Sequence, residues 1–179
     1  YFPARPSTDA GIRDLDHAHV FHSWSAQDEI NPLPVASGSG ASFADYEGKE
    51  YLDFGSQLVY ANLGHSHPRL IQAIKDQADT LPTIAPGFAN DARSQLAAMI
   101  SQVAPGNLNH VFFTNGGADA NENAVRMARA FTGRPKVMSA YRSYHGATST
   151  AISLTGDPRR WSNEPGDGSV VHFFGPYLY

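Results

Sequence analysis

The sequence predicts an α/β fold in which a parallel-rich sheet with flanking helices follows a small β-meander. Residues 35–54 alternate loosely in polarity and are rich in glycine, a pattern typical of short antiparallel strands. Further along the chain, apolar segments of strand length alternate with amphipathic segments of helical length. Strands that are connected through helices pair in parallel, so the second part predicts an α/β layer.

The composition indicates a globular protein and excludes several classes of function. Of the 179 residues, 41% are hydrophobic, which is typical of a globular core. The formal net charge of -4 is spread without charge runs, so the sequence shows no basic cluster that would bind nucleic acid or an anionic membrane. No apolar stretch approaches the roughly 18 residues of a membrane helix. The absence of cysteine excludes disulfides and thiolate metal ligands and favours a cytoplasmic setting. The chain begins at Tyr1 without methionine and stops at Tyr179 after an apolar run, so we expect both ends to be cuts.

The first half of the chain predicts the meander and two helices. The turn of the meander is expected at Asp45–Lys49. Apolar residues recur at helical spacing from His67 to Leu81, where Pro68 suits the first turn. A second helix is predicted from Asp91 to Val103, with Pro105-Gly106 as its stop.

The second half of the chain alternates between strands and helices. The predicted strands are His110–Phe113, Lys136–Ala140 and Val170–Phe174. A helix through Ala120 and Phe131 follows the first strand and ends at Gly133 and Pro135. A turn at Tyr144–Gly146 and a helix start at Ala147–Leu154 follow the second strand.

The most distinctive local feature is a predicted strand that runs into Gly116-Gly117 and then into a helix. Unpaired N–H groups at a helix start, together with the helix dipole, favour an anion there. Glycine also lets the main chain approach a phosphate closely. An ordinary tight turn between strand and helix would have the same local sequence, so the junction alone leaves both interpretations open.

Nucleotide-binding loops do not match this junction. The dinucleotide fingerprint needs three glycines spaced G-x-G-x-x-G, whereas the segment has only an adjacent pair. The P-loop needs a lysine before Ser or Thr at the helix start, and none is present. Both kinds of nucleotide site are therefore excluded.

Four ordered motifs resemble those of the class III (ω-amino-acid) pyridoxal-phosphate-dependent aminotransferases, and together they cover most of residues 30–155. They are Tyr46-Glu47-Gly48-Lys49-Glu50-Tyr51-Leu52-Asp53-Phe54, Asn62-Leu63-Gly64-His65-Ser66-His67-Pro68, the stretch Phe113 to Arg129, and Tyr144-His145-Gly146. Their order and spacing are similar to those of the family. Chance agreement of all four is improbable.

The resemblance implies that the chain is the N-terminal portion of a fold type I transferase that uses pyridoxal 5'-phosphate (PLP). Residues 1–55 would form an N-terminal segment and the meander, part of the small domain. Residues 56–179 would form the first, truncated part of the large PLP-binding domain. The family resemblance also implies a homodimer with shared active sites, to which residues 55–100 would contribute much of the contact.

The resemblance further implies which residues bind the cofactor. Gly116, Gly117 and Ala118 would hold its phosphate through main-chain N–H groups. Tyr144 would stack on its pyridine ring, with His145 beside it in the site. The alternative role of Tyr144 is that of a plain core aromatic.

Glu122 would lie behind the cofactor ring, or else be a solvated helix residue. The segment before the Asn62–His65 motif lines the substrate pocket in the family. Leu58, Val59 and Tyr60 are therefore candidate substrate-lining residues, as is Trp24, although ordinary apolar packing would explain all four equally well.

The chain departs from the family pattern at three positions of the phosphate-binding segment. Gly116 stands where serine is usual, Ala118 where threonine or serine is usual, and Asp119 where glutamate is usual. The first two substitutions remove hydroxyl groups that would also contact the phosphate. They bear on cofactor affinity and leave the predicted fold unchanged.

No metal site is predicted. His17, His19 and His22 cluster near the start of the chain, but carboxylate or cysteine ligands are not spaced to join them. We therefore interpret the three histidines as surface or interface residues.

The catalytic lysine of the family has no counterpart in this chain. PLP chemistry needs a lysine that forms a Schiff base with the cofactor. The lysines present are Lys49 in a predicted turn, Lys75 on the polar face of a helix and Lys136 at the start of a strand. We expect the Schiff-base lysine beyond Tyr179, so the chain alone should not complete a transamination.

The function that the resemblance implies is transfer of an amino group from an amine or ω-amino acid to a keto acid such as pyruvate or 2-oxoglutarate. Within enzymes, an aminomutase or a decarboxylating transaminase remains an alternative. A non-catalytic binding or scaffold protein of the same fold is a third. The expected partners are the two small-molecule substrates and a second copy of the chain, and neither nucleic acid nor a membrane is expected.

Overall fold

The computed structural model describes residues 8–176, which divide into two compact units between Phe88 and Ala89. This division falls later in the chain than the domain boundary expected after residue 55, which stays a prediction. The helices are α1 Asp9–His19, α2 Ser56–Val59, α3 Pro68–Thr80, α4 Asp91–Val103, α5 Gly117–Thr132 and α6 Ser149–Leu154. The strands are β1 Ser37–Ser39, β2 Ser42–Ala44, β3 Glu50–Leu52, β4 Val137–Ala140 and β5 Val170–Phe173, and two 3-10 helices span Gln27–Glu29 and Pro158–Asn163.

The first unit contains the predicted meander. Strands β1, β2 and β3 pair antiparallel in that order, with Phe43 of β2 opposite Tyr51 of β3. The rings of these two residues stack with centroids 5.3 Å apart. Asp45 forms the turn, because its carboxylate accepts the N–H groups of Glu47 at 3.0 Å and Lys49 at 2.9 Å. The meander prediction is therefore confirmed, including its turn.

Helices α3 and α4 confirm the two helices predicted from periodicity. Pro68 occupies the first turn of α3. An N–H group at this position would have no acceptor within the helix, so proline loses no hydrogen bond there. The side chain of Asn90 caps α4 by accepting the N–H of Arg93 at 2.9 Å. Neither helix contains a buried residue, so both present their apolar faces as surface.

The second unit contains the parallel strand pair and the core. Strands β4 and β5 pair in parallel from Val137 opposite Val170 to Ala140 opposite Phe173. This pairing confirms the parallel sheet that the alternation of elements predicts. Helix α5 ends where predicted, at Gly133, whose φ of 67° lies in the left-handed region that favours glycine. The buried core centres on α6, where residues 151–155 are all buried.

An ion pair joins the end of α5 to the segment before β5. The Arg129 guanidinium donates to the Asp167 carboxylate at 2.8 Å and to the Pro135 carbonyl at 2.8 Å. Hydrogen bonds from the Ser169 hydroxyl and then from Arg129 lower the pKa of Asp167 to about 2. This arginine, the last residue of the motif that begins at Phe113, therefore fixes the far end of the helix.

Two local predictions are wrong. His110–Phe113 does not form a strand in the described part of the chain, and the side chain of Phe112 is 65% exposed. An apolar run becomes a strand only when another strand accepts its hydrogen bonds, and none of the described residues does so here. The turn predicted at Tyr144–Gly146 lies instead at Tyr141-Arg142, where Arg142 takes a φ of 63°.

Gly156 offers a test of the packing in the second unit. Its N–H and carbonyl bond to Ser143 and Arg142, and a Cβ added to it would lie 2.2 Å from the Ala140 carbonyl oxygen. Because backbone cannot move aside cheaply, we expect Gly156→Ala to lower the free energy of unfolding by about 2–3 kcal/mol in urea titrations. Gly168→Ala is the control, since nothing lies within 4 Å of its added Cβ. Equal effects of the two substitutions would contradict this packing.

Candidate functional site

The start of α5 is an open helix terminus. Gly116 is the N-cap residue in extended conformation, and it has no side chain to cap the helix. The first helical hydrogen bond runs from Ala120 N–H to the Gly116 carbonyl at 3.0 Å. The N–H groups of Gly117, Ala118 and Asp119 donate to no acceptor within residues 8–176. Three adjacent donors therefore project from the positive end of the helix dipole.

The space around this terminus fits a phosphate group. A Cβ added at Gly116 or Gly117 would have no neighbour within 4 Å. An anion can therefore approach the main chain at both positions without a side chain in its way. The N–H donors, the dipole and the open approach together match what a phosphate ester requires.

The Tyr144–Gly146 segment is held directly against this helix. The Asn121 amide donates to the His145 carbonyl at 2.7 Å. Gly146, with a φ of 128°, packs so closely that an added Cβ would lie 2.6 Å from the Ala118 Cβ. Only glycine fits this approach. The structure thus brings together two motifs that lie more than twenty residues apart in sequence.

Glu122 caps the neighbouring helix α6. One carboxylate oxygen accepts the Thr148 hydroxyl at 2.7 Å and the N–H groups of Thr150 and Ala151 at 2.7 and 3.1 Å. Partial burial raises the pKa of Glu122, but these hydrogen bonds outweigh it and bring the pKa below its ordinary value. Glu122 is therefore not a plain solvated residue, because its hydrogen bonds connect α5 to α6. No pattern in the sequence indicates this contact.

Tyr144 is 45% exposed and lies against a cation that the sequence reasoning missed. The guanidinium carbon of Arg159 lies 3.9 Å from the centroid of the Tyr144 ring. Asp157 holds this arginine, with Nε at 3.0 Å from Oδ1 and 3.1 Å from Oδ2. The segment Asp157-Pro158-Arg159 does signal a helix start, since Asp157 caps the 3-10 helix that begins at Pro158, but nothing in it points to Tyr144.

The candidate substrate-lining residues all lie in the first unit, whereas the candidate cofactor residues lie in the second. Trp24, Leu58, Val59 and Tyr60 are each more than half exposed. The choice between substrate lining and ordinary apolar packing stays a prediction for these four residues.

Leu58 and Val59 belong to a single left-handed turn, α2. The four residues Ser56–Val59 have φ between 43° and 73°. Each non-glycine residue in this region costs roughly 1–2 kcal/mol, so the turn persists only where its surroundings enforce it. Sequence patterns give no sign of such a turn.

His65 supplies part of that enforcement. Its Nε2 lies 2.7 Å from the Asp53 carboxylate, before the turn, and its Nδ1 lies 2.7 Å from the Gln57 amide, within it. The hydrogen bond with His65 is the main cause of the lowered pKa of Asp53. Gly40 exchanges two main-chain hydrogen bonds with His65, at 3.0 and 2.8 Å. These bonds attach His65 to the meander.

The histidines near the start of the chain do not assemble a metal site. His22 bonds to Asp16 at 2.6 Å, while His17 and His19 belong to the last turn of α1. Across residues 8–176, no group of three or more His, Cys, Asp or Glu residues could hold a metal ion. In the same span, no helix is both long and apolar enough to cross a membrane.

The three lysines are all exposed. Lys49 lies over the ring of Tyr51, with Nζ 4.8 Å from its centroid, and Lys75 lies within α3. Lys136 directly precedes β4. None of them bonds to a residue of the α5 terminus or of the Tyr144 segment.

Comparison with known proteins extends the resemblance over almost the whole chain. A sequence profile described as aminotransferase class-III matches residues 24–173. An acetylornithine aminotransferase from Bacillus cereus is 34% identical over 161 residues, which are 90% of this chain and 38% of that protein. An isoleucine 2-epimerase from Lentilactobacillus buchneri is 31% identical over 175 residues, 96% of this chain and 39% of that protein.

Solved structures show the same architecture. A taurine:2-oxoglutarate aminotransferase from Bifidobacterium kashiwanohense, in complex with PLP and glutamate, is 44% identical with a TM-score of 0.90, covering 98% of this chain and 40% of that one. An (S)-enantioselective omega-transaminase from Thermomicrobium roseum is 32% identical with a TM-score of 0.89, covering 95% and 41%. The chain therefore spans about two fifths of the length of these relatives.

The role of Glu122 as a helix cap predicts a pH dependence. Its folded pKa lies below the ordinary value of 4.5, so its contribution to stability is complete above pH 4.5 and is lost as the pH falls through the folded pKa. We expect Glu122→Gln to lower the free energy of unfolding by about 1–3 kcal/mol at pH 7. The difference from wild type should shrink as the pH is lowered below 4.5 in urea titrations.

The matched control is Glu47→Gln, because Glu47 is an exposed glutamate in the turn of the meander. That substitution should leave the free energy of unfolding within about 0.5 kcal/mol of wild type. A pH-independent effect of Glu122→Gln would contradict the capping role.

Proposed function

Since the chain belongs to the class III aminotransferase family, whose cofactor is PLP, we propose that the protein transfers an amino group from an amine or ω-amino acid to a keto acid. The observation that carries the proposal is the open start of α5, with three unpaired N–H groups held beside Tyr144. A phosphate cradle next to an aromatic ring is what PLP needs for binding. Both parts come from motifs that the chain shares with the family.

We propose the following division of roles among the residues of the site. The main-chain N–H groups of Gly117 and Ala118, at the helix start that Gly116 keeps open, bind the phosphate. The ring of Tyr144 stacks on the pyridine and His145 lies beside it. When bound, PLP supplies an electron sink for the bonds of the amino-bearing carbon.

Two neighbouring residues position the site without touching the reacting atoms. Asn121 fixes the main chain of the Tyr144 segment through the His145 carbonyl. Glu122 fixes α6, which directly follows that segment, through its three hydrogen bonds. We propose that Glu122 stands behind the cofactor ring in this positioning role.

The lysine that carries the cofactor is proposed to lie in the part of a longer polypeptide that this chain does not span. Support comes from the relatives, of which the chain covers about two fifths, and from the positions of Lys49, Lys75 and Lys136. Without that lysine, the chain alone would be inactive. We call the longer polypeptide the full-length protein below.

The amino donor is proposed to be an amine or an ω-amino acid. The acceptor is proposed to be a keto acid such as pyruvate or 2-oxoglutarate. The relatives named for taurine, acetylornithine and enantioselective transamination span this range. Trp24, Leu58, Val59 and Tyr60 are the proposed substrate-lining residues. All four are exposed, as residues that receive a ligand must be before it binds.

A homodimer is the proposed assembly, with residues 55–100 in its interface, and the cytoplasm is the proposed location. In α3, Ile74 is 57% exposed, and in α4, Met99 and Val103 are 64% and 84% exposed. Apolar helix faces of this kind are typical of surfaces that another chain or domain covers. We likewise retain residues 1–55 and 56–179 as portions of the small and large domains.

A related PLP enzyme that does not transaminate is the second candidate. The isoleucine 2-epimerase match, at 31% identity over 96% of the chain, favours it, because an epimerase inverts the amino-bearing carbon without passing the amino group to a keto acid. An aminomutase would likewise give no net transfer to a keto acid, whereas a decarboxylating transaminase would transfer the amino group and also release carbon dioxide. A non-catalytic protein of this fold is favoured only by the missing Schiff-base lysine and by the absence of hydroxyls at Gly116 and Ala118.

The proposed function predicts a change of colour in the full-length protein. After incubation with PLP and dialysis, that protein should stay yellow, and it should bleach when given an amine donor without a keto acid. Bleaching should release the keto or aldehyde product of the donor, and adding 2-oxoglutarate or pyruvate should then restore the colour and release glutamate or alanine. The chain of residues 1–179 alone should lose its colour on dialysis.

Two results would contradict this proposal. Inversion of a chiral amino acid without net transfer to any keto acid would support the epimerase alternative. Stoichiometric cofactor retained by residues 1–179 and converted to its amine form would show that the lysine assignment is wrong.

Gly116→Ser is expected to strengthen PLP binding in the full-length protein. The substituted side chain has open space, and one added hydrogen bond to a charged phosphate contributes about 1.5–3 kcal/mol at best. We expect the Kd for PLP, measured by absorbance titration of the apoprotein, to fall by roughly 3- to 30-fold. Gly168→Ser, at an equally open glycine outside the site, should leave it unchanged. A weaker Kd for Gly116→Ser would contradict the placement of the phosphate.

A further inference from the structure

The Tyr144 ring is packed against a cation whose position is itself fixed. The guanidinium carbon of Arg159 lies 3.9 Å from the ring centroid, well within the roughly 6 Å over which a cation interacts with an aromatic face. The side chain of Tyr144 is 45% exposed. A neighbour packed against its ring restrains rotation about its side-chain torsions.

The Asp157 carboxylate restrains both the guanidinium and the main chain of Arg159. Nε of Arg159 donates to Oδ1 of Asp157 at 3.0 Å and Nη2 donates to Oδ2, and the main-chain N–H of Arg159 also donates to Oδ1 at 3.0 Å. A paired fork of this kind holds the guanidinium plane in one orientation. The hydrogen bond between them lowers the pKa of Asp157 and raises that of Arg159, so both stay charged at neutral pH.

The same pairing argues against Arg159 as the receptor for an acidic group of a substrate. A guanidinium that is already neutralised by a bidentate carboxylate offers a second anion little net charge. Its guanidinium carbon lies over the Tyr144 ring, a position that suits a cation–aromatic contact.

We propose that Arg159 is a positioning residue that fixes the Tyr144 ring in the orientation that stacks on the cofactor pyridine. Arg159 covers one face of the ring, and the cofactor stacks on the opposite face. Ordering the ring before PLP arrives removes part of the entropic cost of binding. The inference rests on the proposed function, because it assigns Tyr144 to the cofactor.

The test uses the full-length protein and Arg159→Gln. Because the loss of one ordering contact corresponds to a small free energy, the Kd for PLP should rise by roughly 3- to 10-fold. The tyrosine signal in the near-ultraviolet circular dichroism of the apoprotein should also decrease, since the ring gains freedom. Asp157→Asn should shift both readouts in the same direction, because it releases the arginine.

Arg160→Gln is the matched control. Arg160 follows in the same 3-10 helix but contacts Glu164 at 3.4 Å and His172 at 3.2 Å. That variant should keep the Kd for PLP within about twofold of wild type. Arg159→Lys keeps the positive charge but lacks the planar guanidinium, so it should give an intermediate Kd for PLP. If Arg159→Gln fails to fold, the Kd of Arg159→Lys tests the inference instead.

The outcomes separate the inference from the proposed function. A wild-type protein that binds no PLP would overturn the proposed function and this inference with it. Wild-type binding with an unchanged Kd in both Arg159 variants would overturn the inference alone. A raised KM confined to acidic amine donors, with unchanged Kd for PLP, would also overturn it, because that result identifies Arg159 as a substrate receptor.

Discussion

The attachment of the Tyr144 segment to the first turns of α5 is the interaction on which the candidate site depends. Two adjacent residues provide most of it: Asn121 holds the His145 carbonyl, and Glu122 holds the start of α6. The close approach of Gly146 to Ala118 completes the contact. Because all three contacts lie within two turns of one helix, the phosphate cradle and the aromatic ring move as a unit.

A comparison of the helix ends supports the proposal that an anion binds at the start of α5. Asn90 accepts the N–H of Arg93 at the start of α4, and Glu122 accepts the N–H groups of Thr150 and Ala151 at the start of α6, so each of these helices has a side-chain cap. Helix α5 has only Gly116 at the corresponding position, which offers no side chain. The unpaired N–H groups at the start of α5 need hydrogen-bond acceptors. A bound phosphate would accept hydrogen bonds from several of them at once.

The sequence predicted the elements that local patterns specify. The meander, α3, α4, α5 and the parallel pair β4–β5 follow from alternation, helical periodicity and terminators such as Gly133, which act within a few residues. The resemblance also predicted correctly the family and its cofactor. The predicted strand at His110–Phe113 failed because a strand depends on a partner, which apolar composition alone cannot supply.

The rest of the site could not be predicted, because it depends on residues that meet only after folding. Glu122 contacts residues 26 to 29 positions away, and the sequence left its role open between two alternatives. Arg159 was not singled out from the sequence, because its contact with Tyr144 also forms only in the folded chain. The left-handed turn Ser56–Val59 contains no glycine, so the usual signal for positive φ is absent. Its support, the bridge from Asp53 through His65 to Gln57, is likewise a tertiary feature.

The central claim is that the α5 start holds the phosphate of PLP through main-chain N–H groups. A crystal structure of the full-length protein with bound PLP tests it most directly, through the distances from the phosphate oxygens to the nitrogens of Gly117 and Ala118. The account predicts hydrogen bonds of about 2.7–3.2 Å at both positions, with the Tyr144 ring stacked on the pyridine. A phosphate bound elsewhere, with these N–H groups facing solvent or another part of the chain, would contradict it.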